Sequence, residues 1–417
     1  MATLVKPTMS LSQLDGFDVV NNVGSYDPYS WWDGFIRIQG PRTITSDDSG
    51  IVTFAQEVYT PGNELLTTIT GGPYAPGARN FSVANSSRIA VGSTVRLFMT
   101  DKGRTELASE LYGGYAPKRC KGPCLGGFKV GNVDLVHFPS RVAAVGPGYV
   151  LLERPVPWTV KPQYKPNFRS YLNNTPMNSG VEDLTVQFPW VTAPKHLDEW
   201  GYNAIYVVNA ANVWVRNVKI VNVDEGIIFH NVDTSTIENI IVTVTKSRGN
   251  AIQPHDSHIG IGLSYCNDVK ATNFSIQQTC QHDLTVRATA HCVFYDGKGL
   301  DMNMDGHREA AWGTLFSTLD LGLGRSIYSA GGYVDRGFPF ASFTTYYNLI
   351  RNDNLRIKFP RSTTFLGPCT YAPEMNFIGP NFGLGVNTPC PDDWYVDTSK
   401  YSLPSGFVLP QTTHPKQ

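Results

Sequence analysis

The chain has 417 residues, and its 34 Lys and Arg are almost balanced by 35 Asp and Glu. That balance argues against a nucleic-acid or membrane-surface role driven by net charge. The 39 Gly and 28 Pro are scattered throughout and no amphipathic run with a 3.6-residue period exceeds a few turns, which argues against long helices.

The first part of the chain divides into two segments of different character. Residues 1–77 are aromatic and loop-rich, include the strand-like Phe35–Ile38, and are predicted to form N-terminal capping coils. Residues 78–159 differ, because Ile89–Leu97 and Val142–Leu152 have the pattern of antiparallel strands joined by turns. The second segment is therefore predicted to be a small β-rich insertion or side domain.

A short motif then recurs between residues 183 and 300, namely an apolar residue, a gap, Asn or Asp, and then apolar, any, apolar. Its Asx residues are Asp183, Asn217, Asn239 and Asn273, which lie 34, 22 and 34 positions apart. The basic unit is therefore near 22 residues, and two units carry about 12 extra residues each. A period of this size with strand-like alternation predicts a solenoid.

A second motif runs in step with the first and adds at least one more short strand to each unit. Strands this short are unstable alone, but identical strands stacked coil on coil pair in parallel and bury an apolar column. The sequence therefore predicts an all-β protein, a parallel β-helix with its core at 160–358 and a C-terminal tail, 359–417, that wraps the last coil. One inward column is predicted to contain Ile205, Ile227, Ile259, Leu284 and Leu300.

Outward side chains on neighbouring coils form ladders with a spacing of about 4.8 Å, so the same alignment predicts a polar patch. It puts His258 and Asp283 on adjacent coils and on one face, with Arg287 and Asp301 close by. Five of the nine histidines fall between residues 255 and 307, which is far more than an even spread would give. Further polar candidates in this region are His255, His282, Lys298, Asp305, His307 and Arg308.

The two longer units carry insertions that leave the solenoid just before the second motif. They span 192–203 and 247–257, and the first contains Trp200 and Tyr202. Stacked two coils apart, they are expected to wall a groove beside the polar patch, and as surface insertions they should be cheap to lose. A groove lined by aromatic rings, cations and carboxylates suits an extended, acidic polysaccharide, because aromatic faces stack on sugar rings and cations pair with uronate groups.

The repeats and the residues from Gly297 to Arg308, followed by Trp312-Gly313 and Leu315-Phe316, resemble the pectate-lyase-like superfamily of carbohydrate-active proteins. The resemblance covers roughly residues 178–332 and consists of the architecture together with a polar His, Asp and Arg patch. It implies a right-handed parallel β-helix that acts on polysaccharide.

Enzymes that eliminate or epimerise uronates share a first step, in which a base removes the C5 proton while a cation neutralises the adjacent carboxylate. A neutral His suits the base role near pH 7, and an Asp beside it orients its tautomer. We therefore predict a polysaccharide lyase with His258 as base and Asp283 as its orienting partner. Arg287 or Arg308 would hold the substrate carboxylate.

The remaining predicted roles are distributed around this pair. No cofactor is certain from the sequence, but Asp301 or Asp305 could bind a Ca²⁺ that neutralises the substrate carboxylate. Asp301 and His307 complete the predicted catalytic set. The residues predicted to bind substrate are His255, His282, Lys298, Trp200 and Tyr202.

The sequence leaves three other functions open. A glycoside hydrolase would use Asp283 and Asp301 as acid and base, and their separation would decide between retention and inversion. A uronan C5-epimerase would share the first step of a lyase. A non-catalytic glycan-binding β-helix would release no product from any glycan.

Features outside the patch favour a secreted protein that binds neither nucleic acid nor membrane. No apolar run reaches transmembrane length, and Met1–Leu14 lacks the apolar core of a signal peptide, so a signal has been removed or the protein is made without one. Of the seven cysteines, Cys266, Cys280 and Cys292 could equally be small buried residues or disulfide partners. Four glycosylation triplets suit a secreted glycoprotein and begin at Asn80, Asn85, Asn173 and Asn273.

Overall fold

The structure is a computed structural model that describes residues 3–5, 34–39, 43–45, 56–58, 64–100, 106–113, 136–171, 178–332, 337–352, 356–357, 371–382 and 395–397. These residues form mostly β-structure. A short α-helix, α1, spans Glu106–Leu111, and a 3-10 helix spans Pro162–Tyr164.

The strands in chain order are β1 (Thr3–Val5), β2 (Ile36–Gln39), β3 (Thr43–Thr45), β4 (Gln56–Val58), β5 (Leu65–Thr70), β6 (Asn80–Val83), β7 (Thr94–Met99), β8 (Val136–Gly146), β9 (Tyr149–Leu152), β10 (Asn167–Ser170), β11 (Gly180–Gln187), β12 (Asn203–Ala211), β13 (Trp214–Val221), β14 (Glu225–Asp233), β15 (Thr236–Thr243), β16 (Ser257–Ser264), β17 (Lys270–Ile276), β18 (Cys280–Arg287), β19 (Val293–Gly299), β20 (Met304–Gly306), β21 (Leu315–Asp320), β22 (Tyr328–Ser329), β23 (Thr345–Tyr347), β24 (Asn376–Ile378) and β25 (Tyr395–Asp397).

Two long parallel sheets form the body of the protein. Sheet A contains, in order, β1, β11, β13, β15, β17, β19, β21, β23, β24 and β25, and sheet B contains β2, β12, β14, β16, β18, β20 and β22. From β11 to β22, consecutive strands alternate between the two sheets, which is the arrangement of a parallel β-helix. The predicted all-β class and right-handed parallel β-helix are confirmed.

The Asx residue of the repeated motif marks a kink in β11, β13, β15 and β17 of sheet A. Asp183, Asn217, Asn239 and Asn273 have positive φ angles of 57, 54, 55 and 49°, a region that Asn and Asp enter more readily than most residues. The side-chain amide of Asn217 donates to Asp183 Oδ1 at 2.8 Å, and that of Asn239 donates to Asn217 Oδ1 at 2.6 Å. Backbone geometry and hydrogen bonds between coils together explain the motif.

The core between the sheets is apolar and continues toward the C-terminus as a stack of rings. Phe294, Phe316, Tyr346 and Phe377 are successive partners in sheet A. Their ring centroids are 5.2 to 5.4 Å apart, and the rings are nearly parallel. Because β24 and β25 lie within residues 359–417, part of the predicted wrapping tail instead adds strands to sheet A.

The predicted inward column is correct at three of its five positions. Ile205, Ile227 and Leu284 are buried and lie in one column. Ile261 occupies the position between Ile227 and Leu284, and Met304 follows Leu284. The other two predicted members are misplaced: Ile259 packs on the outer face against Tyr206, Val208 and Ile228, and Leu300 is 48% exposed. Apolar residues recur at intervals of two in both places, so alternation alone cannot distinguish registers that differ by two or four positions.

A closed antiparallel barrel of β5 to β10 lies beside the β-helix, with strand order β10-β5-β6-β9-β8-β7. It extends on both sides of the predicted 78–159, since β5 begins at Leu65 and β10 ends at Ser170. Its core includes Leu107 and Leu111 from α1 and packs on β-helix residues such as Trp312. Residues 1–77 also contribute β1 and β2, which pair with the first described coil of each sheet.

Two ion pairs, one fully buried and one partly exposed, connect the barrel to the β-helix. Arg96 on β7 pairs with Asp233 on β14, and both side chains are fully buried. Burial alone would raise the pKa of Asp233, but the charges of Arg96 and His137 outweigh it and lower the pKa. Arg154 also binds Asp268 through two hydrogen bonds of 2.8 and 2.6 Å.

The described cysteines and glycosylation triplets are placed as follows. Cys266, Cys280 and Cys292 are buried free thiols. Asn80 and Asn85 are exposed on the barrel, whereas the Asn273 amide donates to Asn239 within the ladder at 3.4 Å. Asn173 and the other four cysteines lie outside the described residues.

Two matched substitutions test the register of the core. Met304→Asp should abolish folding, because it would bury an unpaired carboxylate between the sheets. Leu300→Asp should change the free energy of unfolding by less than about 0.5 kcal/mol, because that side chain is largely exposed. Urea denaturation followed by circular dichroism measures the stability of both variants. A larger loss of stability in Leu300→Asp than in Met304→Asp would instead support the column predicted from the sequence.

Candidate active site

A cluster of histidines and carboxylates lies near the start of successive strands of sheet B. His258 is the second residue of β16, His282 is the third residue of β18, and Asp305 lies in β20 directly before Gly306 and His307. These residues are neighbours in space because the strands that carry them are stacked in parallel. His196 joins them from the first insertion, with its ring centroid 4.6 Å from that of His258.

His258 is enclosed by one imidazole and two carboxyl groups. Its Nε2 lies 3.1 Å from His196 Nε2. Its Nδ1 lies 3.2 Å from Glu199 Oε1 and 3.8 Å from Glu225 Oε1. His258, Glu199 and Glu225 are all buried, so these contacts are shielded from bulk water.

The pKa values of the two carboxyl groups beside His258 are shifted in opposite directions. For Glu199, burial would raise the pKa, but interaction with His258 and the Leu197 N–H outweighs it and lowers the pKa. For Glu225, burial together with the negative charges of Glu199 and Asp224 raises the pKa well above its ordinary value. Glu199 is therefore the ionised partner, and it favours the His258 tautomer that carries its proton on Nδ1.

A second unit is formed by His282, Asp305 and His307. His307 Nδ1 lies 2.7 Å from Asp305 Oδ2, His282 Nδ1 lies 3.5 Å from the same oxygen, and Gly331 N–H donates to Asp305 Oδ1 at 2.6 Å. Burial would raise the pKa of Asp305, but His282 and His307 outweigh it and lower the pKa. Burial lowers the pKa of His282 to about 4 and, together with the charge of His258, lowers that of His196.

Asp283 does not accompany His258, contrary to the sequence prediction. The strands pair so that Ser257 is level with Cys280 and Ile259 is level with His282, which leaves His258 beside Gln281. Asp283 is fully buried, its Oδ2 accepts hydrogen bonds from the backbone and side-chain amides of Asn303 at 3.0 Å, and burial raises its pKa to about 8. The misplacement follows from the two-residue error in the predicted register at Ile259.

The two predicted carboxylate-binding arginines are engaged within the protein. Arg287 forms a two-point pair with Glu309, with N–O distances of 2.7 and 2.9 Å. Arg308 is buried and donates to the carbonyl groups of Gly331, Gly332 and Gly337. The sequence could not show these partners, because each lies in a loop or on another coil.

The predicted calcium ligands do not form an oxygen cage. Both carboxylate oxygens of Asp301 accept hydrogen bonds from Arg325, and both oxygens of Asp305 accept from His307 and Gly331. Calcium requires six to eight oxygen ligands, whereas the ligand groups gathered around Asp305 are mainly imidazole nitrogens. These residues do not fit Ca²⁺.

The predicted substrate-binding residues are separated by the structure. His282 belongs to the cluster. His255 is near enough to His196 to lower the pKa of that ring, and its own pKa is lowered by burial, against the opposing charge of Asp256. Trp200 is 42% exposed on the first insertion. Tyr202, by contrast, is buried against Phe188 with ring centroids 5.1 Å apart.

Lys298 is also separate from the cluster. It is exposed on β19 of sheet A, level with Ser275 and Asp320, whereas the histidines lie at sheet B. The sequence motif places Lys298 near Asp301 in the chain, but the turn between the sheets separates their side chains into different surroundings. A role in binding substrate at the histidine cluster is therefore not supported for Lys298.

Sequence reasoning did not assign roles to His196, Glu199, Glu225 and Arg248. The first insertion supplies His196 and Glu199, and no repeat pattern specifies where an insertion folds. Glu225 could have been predicted, because it stands two positions before the inward Ile227 and therefore lies at the start of its strand, as His258 does. Arg248 could not, because its role depends on a partner in another coil.

Arg248 connects both insertions to sheet B. Its fully buried guanidinium donates to Asp224 Oδ1 at 2.7 Å and to the Val191 carbonyl at 2.9 Å. Ala193 N–H also donates to the Arg248 carbonyl at 2.9 Å. The two insertions therefore contact each other beside His258. They are held to the core by buried hydrogen bonds, which differs from the prediction that they are surface insertions that cost little stability to remove.

The same contacts predict that the second insertion contributes to stability. Arg248→Met should lower the free energy of unfolding by about 3 to 5 kcal/mol, because Asp224 would remain buried without its ion-pair partner. Lys246→Met is the matched control, since Lys246 directly precedes the same insertion and is exposed above Trp190, and it should cost less than about 1 kcal/mol. Equal urea midpoints for the two variants would contradict the anchoring role of Arg248.

Comparisons with known proteins add little to this geometry. No protein-family model and no curated protein matches the chain. Among solved structures, it is similar to the Gp54 tailspike of Acinetobacter baumannii bacteriophage AP22 in complex with A. baumannii capsular saccharide (14% identity, TM-score 0.41, 76% of this chain and 45% of that chain). It is also similar to the tailspike gp61 of Pseudomonas phage phi297 (12%, 0.41, 77% and 49%) and to the tailspike gp49 of Pseudomonas phage LKA1 (12%, 0.29, 80% and 59%).

The chain thus spans about half the length of these tailspikes, and TM-scores of this size carry no conclusion about its chemistry. Within the described part of the chain, no helix has the length and apolar character needed to cross a membrane.

Proposed function

We propose that this protein is an extracellular enzyme that acts on polysaccharide, and that it is a lyase that cleaves a uronate-containing glycan by β-elimination. The observation that carries the proposal is the Asp305–His307 pair at the edge of the histidine cluster. It joins a buried, ionised carboxylate to a partly exposed imidazole at 2.7 Å. The resemblance to the pectate-lyase-like superfamily is consistent with this reading.

His307 is better suited to the base role than His258. Its side chain is 28% exposed, whereas that of His258 is 7% exposed and has its Nε2 directed at His196. Asp305 accepts the Nδ1–H of His307, so the neutral ring retains a lone pair on Nε2. An imidazole held in one tautomer by a carboxylate is a standard general base.

In the proposed reaction, His307 Nε2 takes the C5 proton of a uronate residue. The electron pair of the C5–H bond forms the C4–C5 double bond, the C4–O4 bond breaks, and the departing oxygen takes a proton from solvent. Exposed Trp200 on the adjacent insertion offers a ring face for a neighbouring sugar. Arg287 and Arg308 are held by internal partners, so charge at the uronate carboxylate must be met by another group.

A hydrolase that uses Asp283 and Asp301 is less well supported. Asp283 is fully buried and bonded to Asn303, so it has no surface from which to protonate a glycosidic oxygen. A C5-epimerase remains compatible with the same base, because it shares the proton abstraction and differs only in the fate of the carbanion.

The first test is incubation with a panel of uronate-containing and neutral polysaccharides. A lyase should produce the ultraviolet absorbance of an unsaturated uronate together with new reducing ends. Reducing ends without absorbance would identify a hydrolase. Neither signal, with proton exchange at C5 detected by NMR in deuterated water, would identify an epimerase, and no change at all would leave a binding protein.

The second test is His307→Asn on the substrate that the parent protein cleaves. The Asn amide can still donate to Asp305, but it cannot accept a proton, so turnover should fall by about 10²- to 10⁴-fold. Lys298→Gln is the control, because Lys298 is exposed on the other sheet, and it should leave turnover nearly unchanged. Near-normal turnover in the His307 variant, with its melting temperature also unchanged, would exclude His307 as the base.

A further inference from the structure

Three imidazoles converge beside the proposed base, and each comes from a different element. His196 lies in the first insertion, His258 in β16 and His282 in β18, and one ring nitrogen from each lies within 4.8 Å of the others. His196 Nε2 and His258 Nε2 are only 3.1 Å apart. Two ligands at about 2.0 to 2.1 Å from one tetrahedral ion are about 3.3 Å apart, so this separation is close to that of ligands sharing an ion.

The three rings are close together in different orientations. The His196 ring is inclined at 88° to that of His258 and at 68° to that of His282, and the His258 and His282 rings are inclined at 45°. Two of the three also face a carboxylate through Nδ1: Glu199 lies 3.2 Å from His258, and Asp305 lies 3.5 Å from His282. A carboxylate on the remote nitrogen is the usual partner of a metal-binding histidine, because it fixes the tautomer and directs Nε2 at the metal.

We propose that His196, His258 and His282 bind one divalent transition-metal ion of the zinc type. Three imidazoles favour Zn²⁺, Co²⁺, Ni²⁺ or Cu²⁺ over Ca²⁺ or Mg²⁺, which prefer oxygen. Three protein ligands leave a fourth position open to an oxygen atom of water or substrate. In the metal-free chain, His196 donates its Nε2–H to His258 Nε2 at 3.1 Å. Binding of the ion requires the neutral His196 ring to carry that proton on Nδ1 instead, so that Nε2 is available as a ligand.

A competing set of ligands is His282, Asp305 and His307, whose donor atoms also lie within 4.8 Å of one another. In that set, the 2.7 Å contact of His307 Nδ1 with Asp305 Oδ2 is a hydrogen bond, and Asp305 Oδ1 already accepts from Gly331. An ion there would have to break these bonds. Because His282 belongs to both sets, a variant of His282 cannot distinguish them, whereas variants at His196 and His307 can.

The metal site does not depend on the proposed glycan activity. If that activity is correct, the open position of the ion is the place at which a uronate carboxylate would be neutralised, which neither Arg287 nor Arg308 can do from its present contacts. A negative polysaccharide panel would remove this role but would leave the metal site to be judged by direct binding.

The experiment uses the full chain after treatment with a chelator and its removal. Zn²⁺ is titrated by calorimetry, and Co²⁺ by visible absorption, because four-coordinate Co²⁺ gives a strong visible band. We expect one ion per chain. His196→Gln should weaken binding of both ions by about 100-fold or more, and Glu199→Gln by about 10- to 100-fold, the range found when partners of metal ligands are removed.

His307→Asn is the matched control and should bind both ions as the parent does. Binding lost in His307→Asn but retained in His196→Gln would assign the ion to the competing set and overturn the proposal. Failure of the parent chain to bind Zn²⁺ or Co²⁺ at stoichiometric concentration would also overturn it. Circular dichroism of each variant establishes that the comparison is made between folded proteins.

Discussion

The parallel pairing of one coil with the next is the constraint on which the rest of this structure depends. Each strand of sheet B is positioned by hydrogen bonds to the strand before it, so a side chain near the start of one strand lies beside its counterparts on neighbouring coils. His258, His282 and Asp305 are far apart in the chain but are brought together in this way. The kinks at Asp183 and Asn217 keep successive turns equivalent in sheet A.

The fold could be predicted because its signal is repeated. Positive φ at the Asx positions of β11, β13, β15 and β17, together with the Asn ladder, restricts these positions to few residue types, so the motif is visible without any comparison. The register could not be predicted as well. Ile259 and Ile261 both fit the alternation, and only main-chain pairing with β14 and β18 determines that Ile261 faces the core.

The candidate site was predictable as a region but not as a set of contacts. The concentration of histidines between residues 255 and 307 indicated a region that contains His258, His282 and His307, and the structure brings these residues into contact with one another or with Asp305. Assignments that depended on a partner were wrong for Asp283. The charge of Arg287 and the ring of Tyr202 suggested that both side chains are available to substrate. In the structure, Arg287 pairs with Glu309 and Tyr202 packs against Phe188.

The site residues that lie in the insertions could not be predicted from the periodicity of the sequence. A solenoid repeat specifies its own coils, whereas an insertion folds wherever its buried contacts are best satisfied. Here the guanidinium of Arg248 is held by Asp224 and the Val191 carbonyl, which fixes the second insertion to sheet B and to the first. This anchoring is what allows His196 and Glu199 to approach His258 from outside the repeat.

The electrostatic arrangement of the cluster is also difficult to explain as a device for stability. Buried ionised groups are costly to desolvate, and replacing them with apolar residues is often neutral or stabilising. Here the pKa values of Glu199 and Asp305 are lowered in buried positions, each opposite the Nδ1 atom of an imidazole, while burial raises the pKa of the neighbouring Glu225. Two carboxylates orient histidines near the start of the sheet B strands, beside the anchored insertions. This arrangement is better explained by a need to direct the Nε2 atoms at a proton or a cation than by packing.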